Sequence, residues 1–321
     1  MPTIDFVIPL YNEQESLPAF HKLLQEMTLP DAYARRYIYV NDGSADGTAA
    51  MLDELARADA RVKAIHLSRN FGHQAALCAG LDQATADIVV SMDGDGQHPP
   101  SLVQEMLRLH LLGYDIVQAQ RLDDLDTRSV FKRVTSRSFY RLVSFVGEVN
   151  LAPGTSDFRL LSRQALDALR SLPEYHKFLR GMVVWIGFSH VMLPYKAASR
   201  LAGKPKYSLK RMMRLAADGF FSFSLVPLWI GLLLGSAFIA LAVLELAYTT
   251  YVWLNGHQDQ LVPGWTSLVL ILTVASAISM ILQGMLGIYV GMIFKEVKRR
   301  PVYLVKQSGY AAQRSKSGSA H

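Results

Sequence analysis

From Asp5 to Gln118, short apolar runs rich in β-branched side chains alternate with stretches whose apolar residues recur at helical spacing. Asp5–Leu10, Tyr37–Val40, Val62–Leu67, Ile88–Met92 and Tyr114–Gln118 read as strands. Between them Glu15–Thr28, Gly47–Ala58, His73–Ala84 and Pro100–Leu112 read as helices, with Asp46 and Pro100 as start signals. Alternating βα units predict an α/β fold, a mostly parallel sheet covered by helices on both faces. Such sheets bind ligands at the carboxyl ends of their strands.

The pattern changes after residue 225. Val226–Leu254 and Gly264–Phe294 are apolar almost throughout, each longer than the roughly 20 residues that cross about 30 Å of hydrocarbon, so two C-terminal transmembrane helices are expected. No Lys or Arg occurs from Val226 to Phe294, and the only carboxylates there are Glu245 and Asp259. Trp229, Tyr248, Tyr251, Trp253 and Trp265 cluster toward the span ends, as an aromatic belt does. Ahead of them, Ser208–Leu225 interleaves Lys210, Arg211 and Arg214 with Met212, Met213, Leu215, Phe220, Phe221 and Phe223. That suits a helix lying in the interface, its cations on lipid headgroups and its apolar side in the acyl region.

Charge orients these segments. The linker Asn255–Pro263 has no Lys or Arg, whereas Lys204, Lys206, Lys210, Arg211 and Arg214 precede the first span and Lys295, Lys298, Arg299 and Arg300 follow the second. The positive-inside rule then puts both termini in the cytoplasm. The opening MPTIDFVIPLYNE lacks a basic stretch followed by an apolar one, so the first half is expected to stay cytosolic. The expected organisation is a cytosolic domain over 1–205, an interfacial helix over 206–225, the two spans within 226–294 and a basic cytosolic tail over 295–321. Ser308–His321, small and polar, is expected to be disordered.

Composition narrows the function. Half of the 321 residues are apolar and 19% are charged, which excludes disorder. A sequence pI near 9.3 accompanies a mean hydropathy of +0.16. Outside Val226–Phe294, 33 basic residues face 25 acidic ones, a net +8, so the basic character belongs to the part that flanks the apolar segments. A soluble nucleic-acid binder would be basic but not this apolar, so nucleic acid is excluded as a partner and membrane lipid is implied. The single Cys78 excludes an intrachain disulfide and any zinc site needing two thiolates.

Polar residues collect where the sheet rule says to look. Pro9-Leu10-Tyr11-Asn12-Glu13 closes the first strand, Asn41-Asp42-Gly43-Ser44 the second, and Asp93-Gly94-Asp95-Gly96-Gln97-His98 the fourth. No G-x-G-x-x-G follows the first strand and no G-x-x-x-x-G-K-[ST] occurs, so neither a dinucleotide fold nor a P-loop is supported. Asp93 and Asp95, two residues apart at a strand exit, with the neutral oxygen of Gln97, are hard donors suited to Mg²⁺ or Mn²⁺. These ions keep waters and take further ligands from phosphates, so a metal-bridged diphosphate is the expected guest. Asn70-Phe71-Gly72-His73 reads as a turn into a helix, with His73 as a site residue the alternative, and His98 as a turn residue or a neighbour of the metal.

FVIPLYNEQESL, VNDGSADGT, LSRNFGHQAALCAGLDQATADIVVSMDGDGQHPP and SDFRLLSR, in this order, resemble the inverting family-2 glycosyltransferases of GT-A fold. Within that family the likeness is to the polyprenyl-phosphate glycosyltransferases, among them the bactoprenol glucosyltransferases and dolichol-phosphate mannose synthase. It covers the whole chain, because a two-span anchor is a feature of one subgroup. The resemblance implies metal-dependent transfer, with inversion, of a sugar from a nucleotide-diphosphate sugar to polyprenyl phosphate, for envelope glycan or lipopolysaccharide modification. UDP-glucose and undecaprenyl phosphate are the leading pair. GDP-mannose, UDP-galactose, UDP-GlcNAc or a UDP-aminoarabinose derivative are the alternative donors, and a non-catalytic lipid-binding scaffold is the rival class. A tetramer would follow by family analogy.

Residue by residue, the resemblance implies that Pro9, Tyr11, Glu13 and Asp42 hold the nucleoside, that Asp93 sits by ribose and metal, and that Asp95 and Gln97 bind the metal. Arg121 and the basic segment containing Arg128, Lys132 and Arg133 fall where the family carries its acceptor loop, and Asp157 and Arg159 match its D-x-R element. Arg200 and Lys206 resemble the R-x-x-G-x-S-K segment that closes on the donor phosphates, which makes Asp95, Asp157 and Arg200 the expected catalytic set. Two positions depart from the pattern: Gly96 stands where many relatives carry Leu, and Pro205 replaces the usual Ser before Lys206. A phosphate acceptor is mostly dianionic near neutrality, its second pKa being about 6. It needs no general base, so Asp157 is expected to orient Arg159 or another cation against the lipid phosphate, with direct base action the alternative that the family leaves open.

Overall fold

Strand β1, Thr3–Leu10, runs through the middle of the sheet with Ile4, Phe6, Ile8 and Leu10 buried toward one helical layer and Val7 toward the other. The computed structural model describes residues 1–30, 33–122, 154–174, 177–196 and 264–310, and separate positions from Leu233 to Asn255. After β1 come α1 (Leu17–Glu26), β2 (Ala34–Asn41), α2 (Thr48–Ala58), β3 (Val62–Leu67), α3 (His73–Gln83), β4 (Ile88–Ser91), α4 (Leu102–Leu111) and β5 (Ile116–Arg121). They are followed by β6 (Thr155–Ser162), α5 (Arg163–Ser171), α6 (Leu179–Trp185), β7 (His190–Tyr195), α7 (Trp265–Lys298) and β8 (Val305–Tyr310).

The strands lie in the order β7-β5-β6-β4-β1-β2-β3-β8. β4, β1, β2 and β3 are mutually parallel, as βα alternation requires. β6 enters antiparallel between β4 and β5, and β7 returns parallel to β5. One layer of core packs β1, Tyr37 and Tyr39 against α1, α2 and α4, and the other packs Val7, Ile38, Val40 and Ile65 against α3, α5 and α6. Both faces are covered, which explains why the central strands read as unbroken apolar runs. α3 lies close on the sheet because Gly80 has no side chain. A Cβ there would stand 2.3 Å from Val7 Cγ1.

The expected strand at Tyr114–Gln118 is found as β5, starting and ending later. Tyr114 and Asp115 belong to the turn from α4, where the Asp115 and Ile116 amides both donate to the Ser189 carbonyl. β6 and β7 were not among the expected strands.

Two compact units comprise Met1–Ala216 with Pro301–His321, and Ala217–Arg300. In the second, α7 is 34 residues long, about 51 Å at 1.5 Å per residue. Among the described residues it is the one helix long and apolar enough to cross a membrane, over Val274–Lys298. Its apolar side chains, Met280, Ile281, Val290 and Val297 among them, are exposed. It ends where Arg299 turns left-handed at φ +46 ahead of Pro301, which has no amide to continue it. Of the first expected span, the described positions between Leu233 and Leu254 are helical and the rest lie outside the described residues. The interfacial segment 206–225 lies outside them too.

The C-terminal segment corrects the expectation of disorder from Ser308. Val305–Tyr310 forms β8, antiparallel to β3, and residues 311–321 lie outside the described part. The Ser68 amide donates to the Leu304 carbonyl at 2.9 Å, and the Tyr303 hydroxyl to Asp82 Oδ2 at 2.7 Å. β3 would otherwise be a sheet edge with unpaired backbone groups, and such edges take up any strand within reach.

Candidate active site

Strand direction places the polar residues together. The carboxyl ends of β1, β2, β4, β5 and β7 lie along one edge of the sheet, and antiparallel β6 brings its amino end to the same edge, with Arg159 opposite Ser91 and Thr155 opposite Gln120. Across this edge the order is Arg121 on β5, Asp157 on β6, Asp93 after β4, Tyr11 and Glu13 after β1, and Asp42 after β2.

The loops after β1 and β2 are stitched to each other. The Asn12 amide, at φ +52, donates to Ser44 Oγ at 2.9 Å, and Asn12 Oδ1 accepts from the Ala45 amide at 2.9 Å. The Glu13 amide donates to Thr48 Oγ1 at 3.0 Å. Gly43 is at φ +63, and a Cβ on it would lie 2.4 Å from the Arg69 carbonyl carbon, so no larger residue fits between the loops after β2 and β3. Asp42 is buried, with Oδ1 accepting from the Phe71 amide at 2.7 Å and Oδ2 from the Gly72 amide at 2.9 Å. Burial raises its pKa against the opposing pull of those amides. Asp42 therefore anchors the turn that starts α3, a part that its motif did not disclose. Glu13 Oε2 accepts from Ser16 Oγ at 2.6 Å, at the head of α1. Pro9 is buried within β1, while Tyr11 is exposed at the edge.

At the end of β4, Asp95 Oδ1 accepts from the Gln97 amide at 3.0 Å. His98 is buried, stacks on Phe158 at 4.9 Å, and accepts the Asp93 amide on Nδ1 at 2.9 Å, which assigns its proton to Nε2. Asp93 Oδ1 is buried without a hydrogen-bond partner and lies 3.5 Å from His73 Nε2. Among the described residues no three His, Cys, Asp or Glu side chains form a closed metal cage. An orphaned carboxylate oxygen with a second carboxylate two residues on does fit Mg²⁺ or Mn²⁺, which take one or two protein carboxylates and complete their shell from water and substrate phosphate.

Asp157 is the most heavily paired group on the edge. It is 4% exposed, and Arg159 Nη2 donates to Oδ1 at 2.7 Å. Arg180 Nε donates to Oδ1 at 3.2 Å and its Nη2 to Oδ2 at 2.9 Å. Gln74 Nε2 donates to Oδ2 at 3.1 Å, and His73 Nε2 lies 3.3 Å from the same oxygen. Burial alone would raise the Asp157 pKa, but Arg180, His73 and Arg159 together hold it well below the ordinary carboxylate range. The clamp therefore favours the ionised carboxylate.

Arg159, which the resemblance puts at the acceptor phosphate, has its side chain turned inward. Its side chain is 2% exposed, with Nη1 donating to the Leu179 carbonyl at 3.2 Å and Nη2 also to the Ser156 carbonyl at 3.3 Å. It is a buried support for Asp157. His73, Gln74 and Arg180 were not among the expected site residues. For His73 the signal was the Asn70-Phe71-Gly72-His73 turn, and for Arg180 its being the only charge in the apolar run Phe178–Phe188.

Burial works against charge on His73, yet Asp93 and Asp157 push its pKa up to about 9. A folded pKa above the unfolded value of 6.5 stabilises fully below 6.5, and that contribution is lost as pH rises through about 9. The folded protein should therefore lose stability to urea over that window, and His73→Gln should flatten the loss. An unchanged slope in the variant would remove His73 from the pairing.

Arg121 closes β5, its amide donating to the Gly154 carbonyl at 2.9 Å, with Nε buried and without a partner. Arg128, Lys132, Arg133, Arg200 and Lys206 lie outside the described residues.

Residues 5–170 match the family model for glycosyl transferase family 2. An uncharacterized glycosyltransferase of Bacillus subtilis, YkcC, is 37% identical over 307 residues, 94% of this chain and 93% of its own. The prophage bactoprenol glucosyl transferase homolog of Escherichia coli K12 is 33% identical over 307 residues, 95% and 98% of the two chains. The SfII prophage-derived bactoprenol glucosyl transferase of Shigella flexneri is 33% identical over 310 residues, again 95% and 98%. Among solved structures, a mannosyltransferase from Pyrobaculum calidifontis in complex with GDP-Man and Mn²⁺ aligns at a TM-score of 0.47 and 16% identity, covering 88% of this chain and 87% of its own. The family match begins at Asp5 in β1 and ends at Arg170 in α5, taking in Asp42, Asp93, Asp95 and Asp157, and with this α/β, GT-A-like, mostly parallel sheet the chain belongs to glycosyl transferase family 2 and is a glycosyltransferase.

Proposed function

We propose that the protein transfers a sugar from a nucleotide-diphosphate sugar, UDP-glucose in the first instance, to the phosphate of a membrane-borne polyprenyl phosphate, with inversion at the anomeric carbon. The observation that carries this reading is the state of Asp157. A transferase acting on a hydroxyl group needs a carboxylate that can accept a proton, and Asp157 is clamped by two arginines and a histidine. A phosphate monoester arrives already ionised. One of its oxygens forms the new bond to the anomeric carbon while the bond to the nucleoside diphosphate breaks and its electron pair leaves with the diphosphate, and no proton has to move. The bactoprenol glucosyl transferase names of relatives at 33% identity support the same acceptor class.

Asp93 and Asp95, with Gln97, would hold Mg²⁺ or Mn²⁺, which when bound supplies positive charge for the departing diphosphate. Pro9, Tyr11, Glu13 and Asp42 shape the nucleoside side of the pocket, and by resemblance Arg200 and Lys206 serve the donor phosphates while Arg121, Arg128, Lys132 and Arg133 serve the acceptor. The exposed apolar surface of α7, the apolar stretch at 226–254 and the basic residues flanking both support a two-span anchor with the catalytic unit on the cytoplasmic side.

Membranes containing the protein, incubated with labelled UDP-sugars and polyprenyl phosphate, should yield labelled lipid only when Mg²⁺ or Mn²⁺ is present. Asp95→Ala should abolish the product. Absence of metal-dependent product with every donor would favour a lipid-binding scaffold instead.

A further inference from the structure

We propose that His66, on β3 and outside the motifs that carry the family resemblance, is a positioning residue for the nucleotide. Through Asn41 it holds the loops after β1 and β2 in the shape that receives the nucleoside, which rests on the nucleoside role proposed above for those loops.

β2 and β3 run parallel, with Asn41 beside His66 near their carboxyl ends. On the same face, Tyr37 and Tyr39 of β2 and Val62 and Ala64 of β3 belong to the apolar core that includes Leu52 and Ala56 of α2. Asn41 is 3% exposed and the His66 side chain 10%, so two polar groups stand where apolar ones would pack. They can stay there only with partners.

Those partners form one chain of hydrogen bonds. His66 Nε2 lies 3.1 Å from Asp53 Oδ1 on α2, Asn41 Nδ2 lies 3.2 Å from His66 Nδ1, and Asn41 Oδ1 accepts from the Ser44 amide at 3.0 Å. Ser44 Oγ in turn accepts from the Asn12 amide at 2.9 Å. The chain thus runs from α2 across β3 and β2 to the loop after β1.

Its direction is fixed by the Ser44 amide. Asn41 must turn its oxygen to that donor, so its Nδ2 donates to His66, which leaves His66 Nδ1 the acceptor and the ring proton on Nε2, toward Asp53. Without His66 the buried Nδ2 would lack an acceptor, and the amide group would rotate to find one and release Ser44. The turn from Asn41 to Ser44 passes through left-handed Gly43 and carries Asp42, so the Asp42 anchor and the bond to Asn12 loosen together. Apolar side chains at both positions would pack without partners, so the chain serves the loops and not the core.

The test is equilibrium binding of UDP and of GDP, by calorimetry, to the full-length protein in lipid nanodiscs. His66→Leu fills the space without an acceptor and should weaken nucleotide binding about fivefold, as the loss of one ordinary hydrogen bond does, with the number of sites per chain unchanged. His66→Gln, whose Oε1 can accept from Asn41, should recover most of the affinity. Asp53→Ala, at a side chain 44% exposed, should weaken binding by less, and it carries the test if His66→Leu gives no cooperative unfolding transition. Unchanged affinity in the variant that carries the test would overturn the inference, and so would fewer sites of wild-type affinity, which is what a purely structural loss produces. Equal weakening in His66→Leu and His66→Gln would overturn it too, because the acceptor atom would then not matter. A wild type that binds neither nucleotide removes the nucleoside role of the loops and the inference with it, whereas wild-type binding that the variants leave intact removes the inference alone.

Discussion

Asp157→Asn should slow transfer by about a hundredfold or more while donor binding persists and the acidic limb of the pH–rate profile stays where it was. The side chain keeps its shape but loses its charge, so the guanidinium of Arg180 and the imidazole of His73 lose the group that aims them. Were Asp157 a general base, its protonation would shape the acidic limb, and that limb would vanish in the variant. A lost limb would sink the orienting role. The same substitution should lower stability by about 3–5 kcal/mol, because the buried Arg159 loses the carboxylate it is paired with while it stays beside Arg180. The sign with pH follows from the depressed folded pKa: the stabilisation is present above the ordinary value of 3.8 and disappears as pH falls through the folded one. Acid unfolding of the wild type should thus be steeper than that of the variant, as read by intrinsic fluorescence.

The second large effect lies at the opposite end of the sheet. Asp5 near the start of β1 is 0% exposed and accepts four hydrogen bonds: Arg36 Nε at 2.7 Å, Arg36 Nη2 at 2.9 Å, the Thr85 amide at 2.7 Å and the Ala86 amide at 2.9 Å. It thereby joins β1, β2 and the approach to β4. Asp5→Ala should cost about 3 kcal/mol, because two amides lose their acceptor while Arg36, part-exposed, can still be hydrated. In detergent the unfolding midpoint should fall by about 6–12 °C. Turnover per folded molecule should not change, since Asp5 is at the amino end of β1 and the candidate active site at its carboxyl end. A loss of turnover equal to that of Asp157→Asn would mean that the two ends are coupled.

Much of the βα half was legible because its signals are local. The apolar runs that became β1 to β4 are buried on both faces, and the helices between them carry their own periodicity. Asp93 and Asp95 stood out for the same reason, two carboxylates following an apolar strand. β6 was harder to read. Its polar residues Asp157 and Arg159 interrupt the apolar pattern, and they can be buried only because Arg180, Gln74 and His73 arrive from α6 and α3. The motif around Asp157 showed that it mattered, and it pointed to Arg159 as the cation facing a ligand, where the fold turned that side chain inward. The basic composition after α7 hid β8 in a similar way, since pairing with β3 draws on backbone groups that no side-chain pattern advertises.

The sequence by itself determined the class of protein: a βα sheet, acidic strand exits suited to a metal and diphosphate, a resemblance to one glycosyltransferase family, and an apolar segment flanked by cations. Each of these is written in neighbouring residues, where periodicity and spacing are physical constraints in their own right. Only the tertiary structure decided which charges meet. Asp42 was turned onto the Phe71 and Gly72 amides, Arg159 was buried, and residues from β6, α3 and α6 converged on one carboxylate. The physical reason is that a carboxylate buried at 4% exposure must be paired, and its partners are chosen by sheet order and helix packing across more than 80 residues of sequence, not by what stands beside it in the chain.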